Sequence, residues 1–316
     1  MERPQFKRRW FQFSLRALLA VTTLLAIWLG WTARYLKTLE GQWDALDRMQ
    51  AESHGTEDVI GFKLEPATVL DSSLPSRLNP KWQIVRRLDL KLSEGRRAPA
   101  REIGNFPHLT SLALHAPSIT DIDLNLLGQL RELRELSISS EYVTGEFLAA
   151  GRLHQTLEAL ELKHNALNDS GCQEIGKCAR LRTLTLQKFT GYGYRYDVTD
   201  WSFLRQLPQL RELSLVDSVS AVTLRELSLT PSLRKLDIDS GLSNADVAEI
   251  ARSQTIEELH ITCLPMQDST VDLLKSMKQL KRCVICAPLS QDIINELAKS
   301  RPGWEIDVPT CILVDP

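Results

Sequence analysis

A short apolar phrase recurs along this 316-residue chain. In LEALELKHNALNDSG, which begins at Leu157, apolar residues stand at positions 1, 4 and 6, and LRTLTL repeats this spacing from Leu181. Nine copies share one register, with first positions 24, 24, 24, 24, 29, 23, 23 and 24 residues apart, and a truncated tenth copy retains Trp304 and Ile306. A fixed period of this length indicates a repeat architecture. The first positions are Val85, Leu109, Leu133, Leu157, Leu181, Leu210, Leu233, Ile256 and Leu280.

Each copy predicts a strand followed by a helix. Alternation at positions 4 and 6 is typical of a strand with one buried face. Thr120, Ser243 and Ser290 each precede a helical stretch with an aspartate within three residues, as at a helix N-terminus. Such small units cannot bury their apolar sides alone, so stacked copies must share a core. We expect an α/β solenoid with a concave parallel sheet and convex helices.

The phrase LEALELKHNALNDSG resembles the leucine-rich repeat, and CQEIGKCARL resembles its cysteine-containing variant. The resemblance covers residues 82–308 and implies a right-handed solenoid of about nine full repeats and a truncated tenth. The family's asparagine at position 9 occurs only as Asn165. Because the ladder that ties neighbouring loops is otherwise missing, we expect irregular loops and uneven curvature. The other copies hold Ser93, Pro117, Glu141, Phe189, Ser218, Gly241, Leu264 and Pro288 there.

The N-terminal segment predicts a membrane anchor. An apolar run of 22 residues extends from Trp10 to Trp31 and is interrupted only by Arg16. As a helix it would reach roughly 33 Å, enough for a hydrocarbon core of about 30 Å. A buried helix or a cleaved signal peptide is the alternative, but Trp31 and Tyr35 are too large for a cleavage site. We predict a transmembrane helix at 10–31 after a cytoplasmic basic tail at 1–9.

The flanking charges predict orientation. Five Lys and Arg residues precede or enter the apolar run, whereas only Arg34 and Lys37 closely follow it. The more basic flank stays in the cytoplasm, so the repeats would be exported, to the periplasm in a double-membrane bacterium. FSLRALLAV also resembles the anchors of bacterial inner-membrane proteins that carry exported leucine-rich repeats. The expected location is the inner membrane, with a single pass.

Residues between the anchor and the repeats predict a helix and a cap. Apolar residues at helical spacing indicate a juxtamembrane helix at 32–51. A coiled-coil dimer is the alternative, although about two to three heptads are few for it. Residues 52–81 predict a capping segment, with a strand at 59–65 that covers the first repeat. Residues 309–316 form a C-terminal tail.

The charge distribution argues against a nucleic-acid partner. The whole chain has a formal charge of −2. Residues 1–31 contain five basic residues and one acidic residue, a sum of +4, so the other 285 residues sum to −6. Nucleic-acid binding needs clustered Lys and Arg that displace counterions from phosphates. We therefore expect no nucleic-acid partner.

One histidine and three cysteines have a spacing that resembles a zinc site, H-x2-C-x19-C-x2-C. They are His260, Cys263, Cys283 and Cys286. The register argues against convergence, because position 4 directs Cys283 into the core and position 5 directs His260 to the concave surface. Cys263 and Cys286 lie at positions 8 and 7, where the chain leaves the strand. We predict no metal, and a metal-binding or enzymatic protein that uses this region is the alternative.

The sequence offers no complete catalytic or cofactor motif. GLSNA at 241–245 departs from a nucleophile elbow at Ala245, and Ser243 is explained as a helix cap. GYGYRY at 191–196 lacks the third glycine of a dinucleotide loop. Cys172 and Cys178 face different sides of a helix, so we expect thiols. We predict neither catalysis nor a cofactor.

Two surfaces are candidates for partner binding. One is a polar, mainly acidic strip on the concave face near the C-terminal end, and its residues are Asp237, Asp239, Glu258, His260 and Asp307. The other is the loop of the 29-residue repeat, where aromatic residues alternate with glycines, as in many binding loops. Its residues are Tyr192, Tyr194, Arg195 and Tyr196. The alternatives are a solvated face and tyrosines packed on Trp201 and Phe203.

Together these features predict a membrane-anchored scaffold that presents an exported repeat surface to a protein or peptide partner. The binding role rests on the family resemblance and on the lack of catalytic groups. A cytoplasmic leucine-rich adaptor is a further alternative, but the sequence lacks an F-box-like helical segment and the flanking charges oppose it.

Overall fold

The repeats build one continuous sheet. The computed structural model describes residues 15–53, 59–66, 83–93, 100–188, 198–216, 221–263, 268–286, 291–300 and 305–307. Within these ranges eleven strands lie side by side in chain order, and all pairs after the first are parallel. The repeats thus form an α/β solenoid. The strands are β1 (Val59–Pro66), β2 (Gln83–Lys91), β3 (Ser111–His115), β4 (Glu135–Ser139), β5 (Ala159–Asn165), β6 (Thr183–Lys188), β7 (Glu212–Val216), β8 (Lys235–Leu242), β9 (Glu258–Cys263), β10 (Arg282–Cys286) and β11 (Glu305–Asp307).

Helical segments connect the strands and pack on their neighbours. Some repeats have only short turns, among them 3-10 helices at Asn125–Gln129, Glu146–Ala149 and Ser202–Gln206, whereas the fourth repeat and those after the fifth form longer α-helices. The α-helices are α1 (Leu15–Ser53), α2 (Ala100–Ile103), α3 (Asp121–Leu124), α4 (Leu153–Thr156), α5 (Asp169–Gly176), α6 (Ala221–Ser228), α7 (Asn244–Ile250), α8 (Asp268–Ser276) and α9 (Gln291–Ser300).

Two of the predicted helix caps are present. Thr120 precedes α3, and its backbone N–H and hydroxyl donate to Asp123 at 3.1 and 2.8 Å. Ser243 precedes α7, where its hydroxyl accepts from the N–H of Asp246 at 3.3 Å and its own N–H donates to that carboxylate at 2.9 Å. These bonds satisfy backbone groups at the helix start. The third cap, Ser290, lies outside the described residues.

The predicted register is confirmed by the core. Position 4 forms a row in which each side chain stands opposite the next across the parallel ladder. Every member of this row is no more than 2% exposed. The row is Leu88, Leu112, Leu136, Leu160, Leu184, Leu213, Leu236, Leu259 and Cys283.

Side-chain hydrogen bonds tie consecutive loops together. Asn165 is 3% exposed, and its amide donates to the carbonyls of Leu162 and Gln187, both at 2.9 Å. Where this asparagine is missing, an aspartate at the start of a helix takes a similar role. Asp121 accepts from the backbone N–H groups of the next repeat at 2.7 to 3.0 Å. Its backbone donors are Thr144, Gly145 and Phe147.

The first repeat is covered from two directions. The predicted cap strand is present as β1, which pairs antiparallel with β2. The C-terminal part of α1 packs against β1, β2 and α2, and buries Leu39, Leu46 and Met49 to 3% exposure or less. Gln42 accepts from the N–H of Val85 at 3.2 Å. This apolar face is therefore occupied within the chain, which argues against a coiled-coil dimer through it.

The predicted anchor and juxtamembrane helix form one uninterrupted helix, α1, as far as they are described. Residues 10–14 of the predicted span lie outside the described residues. A search of the described residues finds no helix that combines the length and the apolar character needed to cross a membrane.

We predict that Leu160→Ala will destabilise the protein by about 2–5 kcal/mol, because it leaves a cavity in the position-4 row. Thr185→Ala changes a partly exposed side chain of the concave surface on the adjacent strand, and should cost no more than about 0.5 kcal/mol. Chemical denaturation of both variants measures the difference. Equal losses would show that the assigned buried face is wrong.

A second prediction concerns the aspartate tie at Asp169. The Thr199 hydroxyl, with the N–H groups of Asp200 and Thr199, holds the pKa of this carboxyl below its ordinary value of 3.8, against the opposing effect of burial. A carboxyl with a lowered pKa in the folded state stabilises above its unfolded pKa and loses this contribution as pH falls through the folded value. Asp169→Asn should therefore lower the melting temperature at pH 7, with the difference shrinking below pH 3.8.

Thermal melts of wild type and Asp169→Asn from pH 2 to pH 8 test this tie. Asp47→Asn, on the exposed side of α1, is the control and should match wild type throughout. A deficit of Asp169→Asn that persists undiminished at pH 2 would contradict the electrostatic origin of the tie.

Candidate functional site

The concave surface is built from the odd positions of the strands. Because position 4 and position 6 side chains are buried, positions 3, 5 and 7 face outward. Two hollows on this surface collect charged side chains. We call the one over β2 to β5 the N-terminal hollow and the one over β8 to β10 the C-terminal hollow.

The N-terminal hollow has a volume of about 450 Å³. Its basic residues come from the carboxyl ends of three strands: Lys91 on β2, His115 on β3, and Lys163 and His164 on β5. Lys91, His115, Ser139 and Lys163 occupy position 7 of four consecutive repeats and stand opposite one another in register. The full lining is Val59, Gly61, Asp89, Leu90, Lys91, Ala113, Leu114, His115, Ser137, Ser139, Lys163 and His164.

His164 has an unusual backbone conformation. Its φ of 50° makes it the only described residue other than glycine with positive φ. The register of β5 against β6 shifts between Lys163 and Asn165, so His164 forms a bulge. Residues other than glycine adopt the left-handed region rarely, and such outliers concentrate at functional sites. The bulge adds a second basic side chain from β5 to the hollow.

Basic side chains outnumber acidic ones around this hollow, which Asp89 also lines. The pKa of His115 is lowered from its ordinary value of 6.5, first by burial and then by the positive charges of Lys91 and His164. Lys163 has an acidic neighbour, since its Nζ lies 2.9 Å from Glu161 Oε1. An anion placed among these groups would be attracted to Lys91 and would favour the charged form of His115. The hollow is therefore suited to carboxylates.

The C-terminal hollow contains three residues of the predicted polar strip together with two basic residues. It has a volume of about 310 Å³ and is lined by Asp237, Glu258 and His260, and also by Lys235 and Arg282. The surface is therefore mixed in charge rather than mainly acidic. The predicted Asp239 is exposed on β8 outside this lining. Of Asp307 only the backbone is described, in β11.

A carboxylate and an imidazole of the C-terminal hollow are followed by a thiol at the end of β10. Asp237 Oδ1 lies 3.1 Å from His260 Nδ1, and His260 Nε2 lies 3.5 Å from Cys286 Sγ. The sequence analysis placed Cys286 where the chain leaves the strand, but β10 continues to Cys286. Position 7 of β10 therefore faces the same side as position 5 of β9. The sequence signal that could have identified the pair of His260 and Cys286 is that both residues occupy odd positions of adjacent repeats.

The described members of the zinc-like spacing do not share one face of the sheet. Cys283 is completely buried on the core side of β10, as predicted, away from His260 on the concave side. The side chain of Cys263 lies outside the described residues. Among those that are described, no group of three His, Cys, Asp or Glu residues could hold a metal ion.

The predicted tyrosine loop, with Tyr192, Tyr194, Arg195 and Tyr196, lies outside the described residues. Its role in partner binding therefore stays a prediction. Trp201 and Phe203, on which the tyrosines could pack, are 4% and 2% exposed, with ring centroids 5.8 Å apart.

Comparison with known proteins finds distant structural likeness. No family profile and no curated protein matches the chain. A solved internalin from Listeria monocytogenes is 13% identical with a TM-score of 0.38, and the match covers 75% of this chain and 87% of that protein. Human 5T4 (Wnt-activated inhibitory factor 1, trophoblast glycoprotein) is 18% identical with a TM-score of 0.46, and the match covers 70% of this chain and 84% of that protein.

Proposed function

We propose that the chain is a membrane-anchored scaffold whose exported concave sheet binds an acidic segment of a protein partner. The observation that supports this most directly is the row of basic side chains around the N-terminal hollow, Lys91, His115, Lys163 and His164. The concave face of the sheet is open to a partner, whereas the opposite face is covered by the solenoid core.

The dimensions of the row fit an extended peptide. The three spacings from β2 to β5 span about 14 Å at about 4.8 Å per strand. An extended peptide covers this distance in about four residues, and alternate side chains point the same way. Two or three acidic side chains could therefore meet the row at once. Such charge complementarity fixes register and accelerates association.

A peptide fits this surface better than a nucleic acid. Glu135 and Glu161 lie on β4 and β5, beside the row on the same concave face. Their charges would oppose a continuous phosphate backbone that ran past the hollow. A short acidic segment can place its carboxylates in the hollow and avoid both glutamates. The sum of −6 outside residues 1–31 also disfavours nucleic acid.

The anchor is proposed from α1. Its N-terminal half exposes large apolar side chains, with Leu24, Ile27 and Trp28 between 58% and 69% exposed, whereas one face of its C-terminal half is buried against the repeats. Trp31 stacks on Tyr35 at 5.6 Å, next to the point where this change occurs. Contiguous exposed apolar surface marks contact with a membrane or a partner. The basic residues before it support a cytoplasmic N-terminus.

We predict that the full chain in detergent binds a fluorescent peptide that contains six consecutive glutamates. Lys91→Ala combined with Lys163→Ala should weaken binding at least tenfold, about 1.4 kcal/mol, because two charges leave the hollow. The control Lys177→Ala with Lys281→Ala removes two exposed lysines elsewhere and should bind like wild type. Fluorescence anisotropy at low salt measures the affinities.

The same titration gives a pH signature. Bound carboxylates should raise the lowered pKa of His115, so binding takes up a proton and the affinity increases as pH falls from 8 to 6. His115→Gln should reduce this dependence and leave the affinity at pH 8 unchanged.

Three outcomes would overturn the assignment of this site. One is equal binding by the Lys91/Lys163 variant and wild type, and another is tighter binding of a single-stranded oligonucleotide than of the peptide. The third is loss of binding only when Tyr192, Tyr194 and Tyr196 are changed to Ser, which would move the site to the tyrosine loop.

For the anchor, we predict that a reporter active only outside the cytoplasm is active when it is fused after Pro316 in a double-membrane bacterium. The basic flank should keep the N-terminus inside, and changing Lys7, Arg8 and Arg9 to Glu should reduce that activity. Activity of a cytoplasmic reporter at the same position in the unaltered chain would contradict export.

A further inference from the structure

The C-terminal hollow and the neighbouring end of β10 together supply the elements of an activated nucleophile. Parallel pairing places Asp237 on β8 opposite His260 on β9, and Val284 on β10 opposite the same histidine. Cys286 lies two residues beyond Val284, so its side chain emerges on the same face. The separations of 3.1 Å from Asp237 to His260 and 3.5 Å from His260 to Cys286 follow from this register.

Each residue has a distinct chemical task in such an arrangement. The imidazole Nε2 is placed to take the proton from the thiol, and the carboxylate on the opposite ring nitrogen orients the imidazole and stabilises its charged form. The product is a thiolate, which is the reactive form of cysteine. The other charged groups around His260 are Lys235 and Asp239 on β8, Glu258 on β9 and Arg282 on β10. On β11, Asp307 stands opposite Val284 in register.

The other described cysteine side chains are in different surroundings. Cys172, Cys178 and Cys283 are at most 1% exposed, whereas Cys286 is partly exposed. Burial, with the negative charge of Glu174, raises the pKa of Cys178 to about 12. Burial also raises the pKa of Cys172, with the charges of Asp169 and Asp200 acting in the same direction. These two thiols are protected as core residues, so reactivity should concentrate at Cys286.

We propose that Cys286 is a reactive site for thiol–disulfide exchange, with His260 and Asp237 as its activating residues. The Cys286 thiolate attacks one sulfur of a small disulfide, a new S–S bond forms, and the original S–S bond breaks. The second sulfur departs as a thiolate with the bonding electron pair and can take the proton held by His260. The protein then carries a mixed disulfide on its concave face.

The surroundings have room for a small disulfide and carry balanced charges. Lys235 and Arg282 line the same hollow as Asp237 and Glu258, so the basic and acidic groups match one another. The lining therefore admits both an anionic and an uncharged disulfide, whose sulfur can approach Cys286 at the strand end. The attached group would then occupy the C-terminal hollow. This site does not depend on peptide binding at the N-terminal hollow.

The test uses the full chain in detergent with Cys263→Ser and Cys311→Ser as background. The probe is an aromatic disulfide with two carboxylates that releases a coloured thiolate, with an uncharged dithiodipyridine for comparison. At pH 6 we expect one fast equivalent, a matching mass increase on Cys286, and loss of both in Cys286→Ser. His260→Gln should slow the reaction at pH 6 at least tenfold, and Asp237→Asn should slow it to a smaller extent.

Two controls separate activation from structural damage. Glu40→Gln removes one exposed carboxylate on α1, away from the C-terminal hollow, and should react at the same rate as the background. Circular dichroism melts should show the same transition for all variants. The proposal would be overturned if the rate rose with pH as it does for an ordinary thiol, with a midpoint at a pH of about 8.5, and if His260→Gln left the rate unchanged. Equal labelling of Cys172 and Cys286 in the folded protein would also overturn it.

Discussion

The burial of positions 4 and 6 in the nine full repeats is the constraint on which the rest of this structure depends. Side chains alternate between the two faces of a strand, so a shift of one residue would exchange the core for the concave surface. Nine residues of the position-4 row, from Leu88 to Cys283, keep the repeats in one register. Both hollows follow from that register, because they are assembled from odd positions of neighbouring strands that share no local sequence.

Loop ties hold this register where the strands end. Asp121 and Asp169 each bind backbone N–H groups of the following repeat, and Asn165 bridges β5 to β6. The single asparagine of the expected ladder directly follows His164, the residue with positive φ. Buried hydrogen bonds from Asn165 can offset the cost of that conformation, typically about 1–3 kcal/mol. The bond network that secures the solenoid thus also fixes one basic side chain of the N-terminal hollow.

The sequence predicted the parts of the fold that rest on periodic burial. Leu160 and its equivalents are buried as the spacing required, and the caps at Thr120 and Ser243 are present, because both depend only on local pattern. The sequence contains the basic row, because Lys91, His115 and Lys163 all occupy position 7. The row can be recognised only when this position is compared across the repeats.

Other features depend on where elements end. The contact between His260 and Cys286 requires β10 to continue as a strand as far as Cys286. The sequence encodes the ends of strands poorly. The mixed charge of the C-terminal hollow arises in the same way, since Lys235 and Arg282 approach from strands on either side of β9. Lateral packing of this kind is a property of the assembled sheet.

The central claim is that the repeats share one register, in which one face of each strand is buried in the core and the other face is exposed on the concave surface. Hydroxyl-radical footprinting of the native full chain, read by mass spectrometry, tests it directly. The account predicts oxidation of His115, His164 and His260 in the native protein. Leu136, Leu160, Leu184 and Leu236 should become oxidised only after denaturation. Oxidation of those leucines in the native state, at rates similar to the histidines after correction for intrinsic reactivity, would contradict the register.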